Sequence, residues 1–226
     1  MQKNNVIGVY CGSVSDMDGI ETAMFKQLVS GRIYLSETGL EGDSCASTKH
    51  HGGTERALHQ YPVEHYAFWQ QQYGVDKEWC APGMGENISS QGMTEENVCI
   101  GDQYQWGEAI IEVSQPRSPC YKLNTRWNVA EFSVQMQKLS RCGWLYRVVK
   151  PGLVSVSEPL VLLSRPENAL TIKQVCDIYF GDPLNRLGLE ALQQQSALSH
   201  NWQTTITRRL ESNELENWNF RLLGHA

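Results

Sequence analysis

The residues best suited to chemistry lie in one stretch, Ser114-Gln-Pro-Arg-Ser-Pro-Cys-Tyr-Lys122. Its thiol, Cys120, has Arg117, Lys122 and Arg126 as neighbours in sequence, and no acid falls between Ser114 and Trp127. Cations beside a sulfur favour the thiolate, the form that attacks electrophiles and binds metals. Pro116 and Pro119 fix φ and lack an N–H, so the chain is not expected to continue past Ser114 as a paired central strand. Cys120 would then sit just beyond a strand end on backbone stiffened by the proline before it. An inert buried cysteine, a nucleophile and a metal ligand all remain open on these residues alone.

Three further loop clusters share this character: Gly39–Asp43, Lys49–Arg56 and Gly83–Asn87. Glycines such as Gly52 and Gly53 let backbone amides approach an anion, and Arg56 or Arg117 can grip a phosphate in a fork. Lys49, His50, His51 and Arg56 form a local cationic group in an otherwise acidic chain, which favours an anionic ligand. Glu86 beside Asn87 can hydrogen-bond a heterocycle or orient a cation, or can be a solvent-facing loop carboxylate. Asp43 and Asp102 follow glycines and read as turn residues whose side chains bond nearby amides. Tyr61 and Tyr121 adjoin the charged loops, where core packing competes with a pocket-lining role. Cys11, Cys45, Cys80, Cys99, Cys142 and Cys176 have no comparable setting and read as structural.

These loops must be held by the elements between them. Alternation and β-branched content predict strands over Val6–Tyr10, Met24–Val29, Ile33–Leu35, Val98–Ile100, Tyr104–Trp106, Ala109–Val113, Leu145–Val149, Leu153–Val156 and Leu160–Leu163. Gly107-Glu108 suits a glycine-first hairpin turn. Pro62–Tyr73 predicts a helix with Pro62 at its first position, and Asn128 with Glu131 suggests a capping box opening a second helix. Short strands and glycine-rich turns predict a closed or nearly closed β-barrel. After Arg165-Pro166 the pattern turns helical: Thr171 with Gln174, Asp182-Pro183 and Ser199 each mark a helix start. The expected fold is mainly β with helices (α+β), a barrel over 1–166 followed by a small three-helix extension over 167–226.

The 226 residues suit one generous domain or a domain with an appendage. A net charge of -6 argues against a nucleic-acid surface. No stretch is long and apolar enough to span a membrane, and the apolar run ending by Cys11 is too short for a signal-peptide core. Seven cysteines, with no Cys-x-x-Cys among them, argue for free thiols in a reducing cytoplasm and against zinc ribbons or common iron–sulfur motifs.

Taken in order, Gly39-Leu-Glu-Gly-Asp43, His51-Gly-Gly53 with Arg56 and Tyr61, Gly85-Glu-Asn87, Gly101-Asp102 and Ser114–Lys122 resemble the MOSC family, the molybdenum-cofactor sulfurase C-terminal-type domains. The helical tail resembles the three-helix extension of the bacterial YiiM-type branch. That resemblance implies a MOSC-type β-barrel binding molybdenum cofactor (molybdopterin), with Cys120 the metal ligand. It implies cofactor contacts from Lys49, His50, His51, Gly52, Gly53, Arg56, Glu86, Asn87, Arg117, Cys120 and Tyr121, with His51 or Glu86 relaying protons. The implied reaction reduces N-hydroxylated bases such as 6-N-hydroxylaminopurine to amines, detoxifying base analogues. No flavin, nicotinamide or iron–sulfur motif is evident, so the electrons are expected from an external donor, a flavoprotein reductase. The sulfurases' pyridoxal phosphate domain has no counterpart here, so no pyridoxal phosphate is expected. The tail is a candidate dock for the donor or for a second subunit, giving a homodimer.

Three other readings compete. A cysteine hydrolase would use Cys120 as nucleophile, His51 as base and Glu86 as orienting acid. A zinc hydrolase would use His50, His51 and Cys120, although adjacent histidines point differently in most backbones. A non-catalytic carrier would bind the cofactor or its sulfur without turnover.

Overall fold

The computed structural model describes residues 3–46, 52–74 and 76–225. Seven strands close a barrel: β1 (Lys3–Cys11), β7 (Leu58–Pro62), β8 (Ile88–Gln91), β9 (Gln103–Trp106), β10 (Ala109–Pro116), β11 (Trp144–Lys150) and β13 (Leu160–Ser164). Their order around the barrel is β13-β9-β10-β11-β7-β8-β1, and β1 returns to β13 to close it. Among the described residues only the β7–β8 pair is parallel. Small additions flank it: a hairpin of β2 (Ser15–Met17) and β3 (Ile20–Thr22), β4 (Gln27–Leu28) on β1, and β5 (Arg32–Ser36) paired with both β6 (Gly39–Leu40) and β12 (Gly152–Ser155). No helix among the described residues is long and apolar enough to cross a membrane.

Alternation along β7 and β8 separates two apolar clusters. Leu58 and Ile88 face the barrel core with Val9, Tyr104, Trp106, Ile111, Trp144 and Tyr146. Tyr61 faces outward, into a second cluster with Tyr66, Trp69, Met84, Leu123, Trp127, Phe132 and Met136. That outer cluster is supplied by α1 (Glu64–Tyr73), α2 (Lys122–Trp127) and α3 (Phe132–Lys138). The Gly83–Asn87 loop contributes Met84 to it, and the segment bearing Cys120 leads into α2.

The tail contains α4 (Ile172–Cys176), a π-helical turn (Asp177–Gly181), α5 (Arg186–Gln193), α6 (His200–Ser212) and a short α7 (Asn219–Leu223). Thr171 and Gln174 form the expected capping box. Ile172, Val175, Leu189, Leu192, Trp202 and Ile206 belong to the same cluster as the barrel core. The extension therefore packs on the barrel and buries its apolar face there.

Several local expectations change. β10 runs through to Pro116, with Gln115 opposite Leu145 and Pro116 opposite Trp144, after a register shift beyond Val113. A proline at the last strand position loses only its own N–H, so pairing reaches it and stops there. Pro62 likewise ends β7 opposite Ser90 and does not open α1. Asn128 and Glu131 form no capping box. Asn128 ends α2 in the left-handed region at φ 46, Glu131 is left-handed too at φ 56, and each supplies no side-chain cap. The stretch Asn124–Asn128 is thus mostly helix. The Met24–Val29 strand contracts to Gln27–Leu28, and Val98–Ile100 keeps only a bridge between Cys99 and Thr171. The helix expected from Asp182-Pro183 starts at Arg186, with Asn185 accepting from the Gly188 N–H.

Candidate functional site

Cys120 lies on the irregular segment between the end of β10 and the start of α2, and is partly exposed. Two backbone bonds flank it. The Arg117 N–H donates to the Gly143 carbonyl at 3.0 Å, and the Tyr121 N–H donates to the Arg221 carbonyl at 2.8 Å. The Cys120 carbonyl accepts from the Leu123 N–H, so α2 grows directly out of the cysteine's peptide.

The three cations near Cys120 in sequence take different places. Lys122 Nζ turns away to the Glu21 carbonyl at 2.5 Å. Arg126 Nε donates to the Gly83 carbonyl at 2.7 Å, and its guanidinium lies 4.6 Å from the Phe25 ring centre. Arg117 is half-buried, and its Nη1 is buried without a hydrogen-bond partner among the described residues, as is Arg126 Nη1. An unpaired buried donor costs roughly 1–3 kcal/mol, so such atoms mark where a ligand acceptor would be favourable.

Glu86 lies far from the solvent-facing position open to it on sequence. It is fully buried, with Oε1 accepting from Tyr66 Oη at 2.6 Å and Ser89 Oγ at 3.0 Å, and Oε2 accepting from the Met84 N–H at 3.0 Å. Burial raises its pKa above the ordinary value against the pull of those donors. Asn87 is equally engaged. Its Oδ1 accepts from the His59 N–H at 3.1 Å, while Nδ2 donates to the Tyr10 carbonyl at 3.2 Å and to Asp43 Oδ2 at 2.7 Å. Asp43 also takes the Gly12 N–H at 2.8 Å and the Lys26 ammonium. Glu86 and Asn87 thus pin the Gly83–Asn87 loop against β7, β8 and the Asp43 turn.

Arg56 ends a 3-10 turn, Thr54–Arg56, and is half-buried. That turn is fixed by Glu55, whose carbonyl accepts from Ser114 Oγ at 2.6 Å and whose carboxylate takes the His200 N–H at the start of α6. Gly52 and Gly53 have φ of 78 and 89, and no atom of the described residues lies within 4 Å of where a Gly53 Cβ would be. Lys49, His50 and His51 lie outside the described residues. Tyr121 packs its ring against the C-terminal tail, so its side chain serves that contact.

Two residues at this site were missed by sequence reasoning. His59 is buried on the outward face of β7, with Nε2 unpartnered among the described residues. Burial, then the Arg117 charge, pull its pKa well below the ordinary value, against the opposing carbonyls of Cys142 and Gly85. Its alternation with Tyr61 was the available signal. Arg221 reaches the Pro119 carbonyl at 2.6 Å from the far end of the chain, and no local pattern announces it.

Residues 47–161 match the MOSC domain, and residues 170–213 match the YiiM-like 3-alpha helix domain. The chain belongs to the MOSC family, whose domains are associated with molybdenum cofactor binding. It is 41% identical to Protein YiiM of Escherichia coli over 96% of this chain and 98% of that one. The crystal structure of YiiM from Escherichia coli superposes with a TM-score of 0.84 at 37% identity, covering 98% of this chain and 99% of that one. A protein of Gibberella moniliformis named Reductase is 41% identical over 65% of this chain but only 26% of its own length.

The residues present fit such a cofactor. A partly exposed thiol suits ligation of a soft or borderline metal centre. The buried N–H groups of Arg117 and Arg126, unpartnered among the described residues, suit an anionic group, and Gly53 leaves open space beside its backbone.

Proposed function

We propose that this chain is a molybdenum-cofactor-dependent reductase that converts N-hydroxylated compounds, such as 6-N-hydroxylaminopurine, to amines. The observation that carries the reading is Cys120, a partly exposed thiol on a loop shared with the buried, unpartnered guanidinium nitrogen of Arg117. Family membership and the fungal relative named Reductase support it.

Cys120 would hold the metal through its sulfur. Arg117, Arg56 and the Gly52-Gly53 turn would hold the pterin's phosphate, joined by Lys49, His50 and His51. When bound, the cofactor supplies the two-electron chemistry. The protein holds it in place and excludes bulk water, which Glu86 and Asn87 assist by fixing the Gly83–Asn87 loop. His51 and Glu86 are the proposed proton carriers, Glu86 because burial keeps its carboxyl more readily protonated than an exposed one. The overall change takes an N–OH group, two electrons and two protons to an N–H amine and water. The electrons come from a separate reductase, a flavoprotein, and the protein works in the cytoplasm against mutagenic base analogues.

The test is expression in cells that make the cofactor, followed by assay of bound molybdenum and pterin and of N-hydroxylaminopurine reduction with a chemical reductant. Cys120→Ala is expected to lose metal and turnover together. Full metal content and activity in that variant would overturn the assignment, and bound pterin without turnover in the wild type would make the chain a carrier.

A further inference from the structure

We propose that the C-terminal helix α7 is part of the site, with Arg221 the positioning residue that fixes the loop bearing Cys120. The loop has lost two of its own donors, because Pro116 and Pro119 carry no N–H. Arg221 compensates from both its side chain and its backbone. Nη1 donates to the Pro119 carbonyl at 2.6 Å, on the peptide that leads into Cys120, and the Arg221 carbonyl accepts the Tyr121 N–H at 2.8 Å. The peptides on both sides of the cysteine are therefore held by one residue.

That residue is itself held. Arg221 Nη2 donates to Gln137 Oε1 on α3 at 2.7 Å, and the Leu222 carbonyl accepts from Asn124 Nδ2 on α2 at 2.9 Å and from Ser133 Oγ on α3 at 2.7 Å. The start of the tail is anchored by Glu216, which takes Arg209 Nη2 at 2.6 Å and Trp218 Nε1 at 3.0 Å. At its end Gly224 turns in the left-handed region at φ 85, where a Cβ would lie 3.0 Å from the Tyr121 ring. A five-residue helix has no stability of its own, so α7 stays where these bonds put it. The Arg221 guanidinium also rests near the Phe180 ring, but the long-range hydrogen bonds of α7 converge on the segment from Pro119 to Asn124 and on α3. An anchor for the tail alone would not need bonds to both peptides around the thiol.

The consequence for the metal rests on the proposed role of Cys120, while the geometry of the latch does not. Amide hydrogen exchange by mass spectrometry, on the full chain without cofactor, tests the latch. In Arg221→Gln the amides of residues 118 and 120–124 are expected to exchange on the order of tenfold faster, as suits loss of a charge-assisted bond, with β10 unchanged. Arg221→Lys, which retains one donor to Pro119, should recover most of that protection. Gly224→Ala keeps the guanidinium but forces the tail off Tyr121, and should loosen the same amides; it decides the matter if Arg221→Gln does not fold. Molybdenum per chain, from cells making the cofactor, should fall several-fold in both Arg221→Gln and Gly224→Ala. Faster exchange confined to residues 214–224 would overturn the proposal, as would a loosened loop with unchanged molybdenum content. Retention of molybdenum by Cys120→Ala would instead overturn the metal-ligand reading and leave the exchange result standing.

Discussion

Gly143 separates two buried polar clusters, each built around a histidine and an arginine. On one side, His65 Nδ1 meets Arg141 Nη1 at 2.7 Å and His65 Nε2 meets Glu95 Oε2 at 2.6 Å. Arginine can only donate, so the ring is the Nε2–H tautomer. Glu95 Oε1 then takes the Gly143 N–H at 2.7 Å. On the other side, the Gly143 carbonyl holds the Arg117 N–H, yet His59 Nε2 and Arg117 Nη1 have no partner among the described residues. The first cluster is closed and structural, supporting the turn on which Arg117 hangs. The second has hydrogen-bonding capacity to spare where a ligand is expected. Charge alone does not distinguish them; unsatisfied valence does.

The largest effect should come from opening the closed cluster. Glu95→Ala leaves the His65 Nε2–H and the Gly143 N–H without an acceptor, and each buried donor left unsatisfied costs about 1–3 kcal/mol. Urea unfolding of the variant would show it as a lowered midpoint. A loss below about 1 kcal/mol would mean that the cluster is not the structural half of the comparison.

A smaller effect concerns His59 and pH. Its folded pKa lies below the ordinary value near 6.5. Below that pH the unfolded chain takes up a proton that the folded chain refuses, so stability falls as pH drops from about 6.5, by up to about 1.4 kcal/mol per unit for one proton. The difference in unfolding free energy between wild type and His59→Gln, followed from pH 8 to 5, should move against the wild type. A flat difference would place a partner on His59.

The smallest stability change is expected at Arg117, where the ligand-free protein gains least from the side chain. Arg117→Met should alter unfolding free energy by less than about 1 kcal/mol while lowering cofactor content in cells that make it. A large destabilisation with normal cofactor content would exchange the roles of the two clusters.

The barrel was largely legible in the sequence because a strand with one buried face repeats every second residue, as from Tyr104 to Val113. Thr171 with Gln174 was legible too, since a capping box is a contact between residues three apart. The same logic failed at Asn128 and Glu131, where α2 ending and α3 beginning left both residues with positive φ. Pro116 misled for another reason: a proline forbids one donor but not the end position of a strand. For Glu86 the sequence left a ligand contact and a solvent-facing loop carboxylate both open, and Tyr66 and Ser89, from two separate elements, draw it inside.

By itself the sequence determined the kinds of groups available: a cysteine among cations, glycine turns suited to an anion, and strands enough for a barrel. These follow from residue type and short-range spacing. Only the tertiary structure decided which donors remain unpaired: Lys122 Nζ and Arg126 Nε are spent on the carbonyls of Glu21 and Gly83, whereas Nη1 of Arg117 and Nη1 of Arg126 meet no partner among the described residues. It alone decided that Arg221 reaches Pro119 across 102 positions of chain. Hydrogen-bond partnership depends on where folded segments end, and no local pattern carries that information.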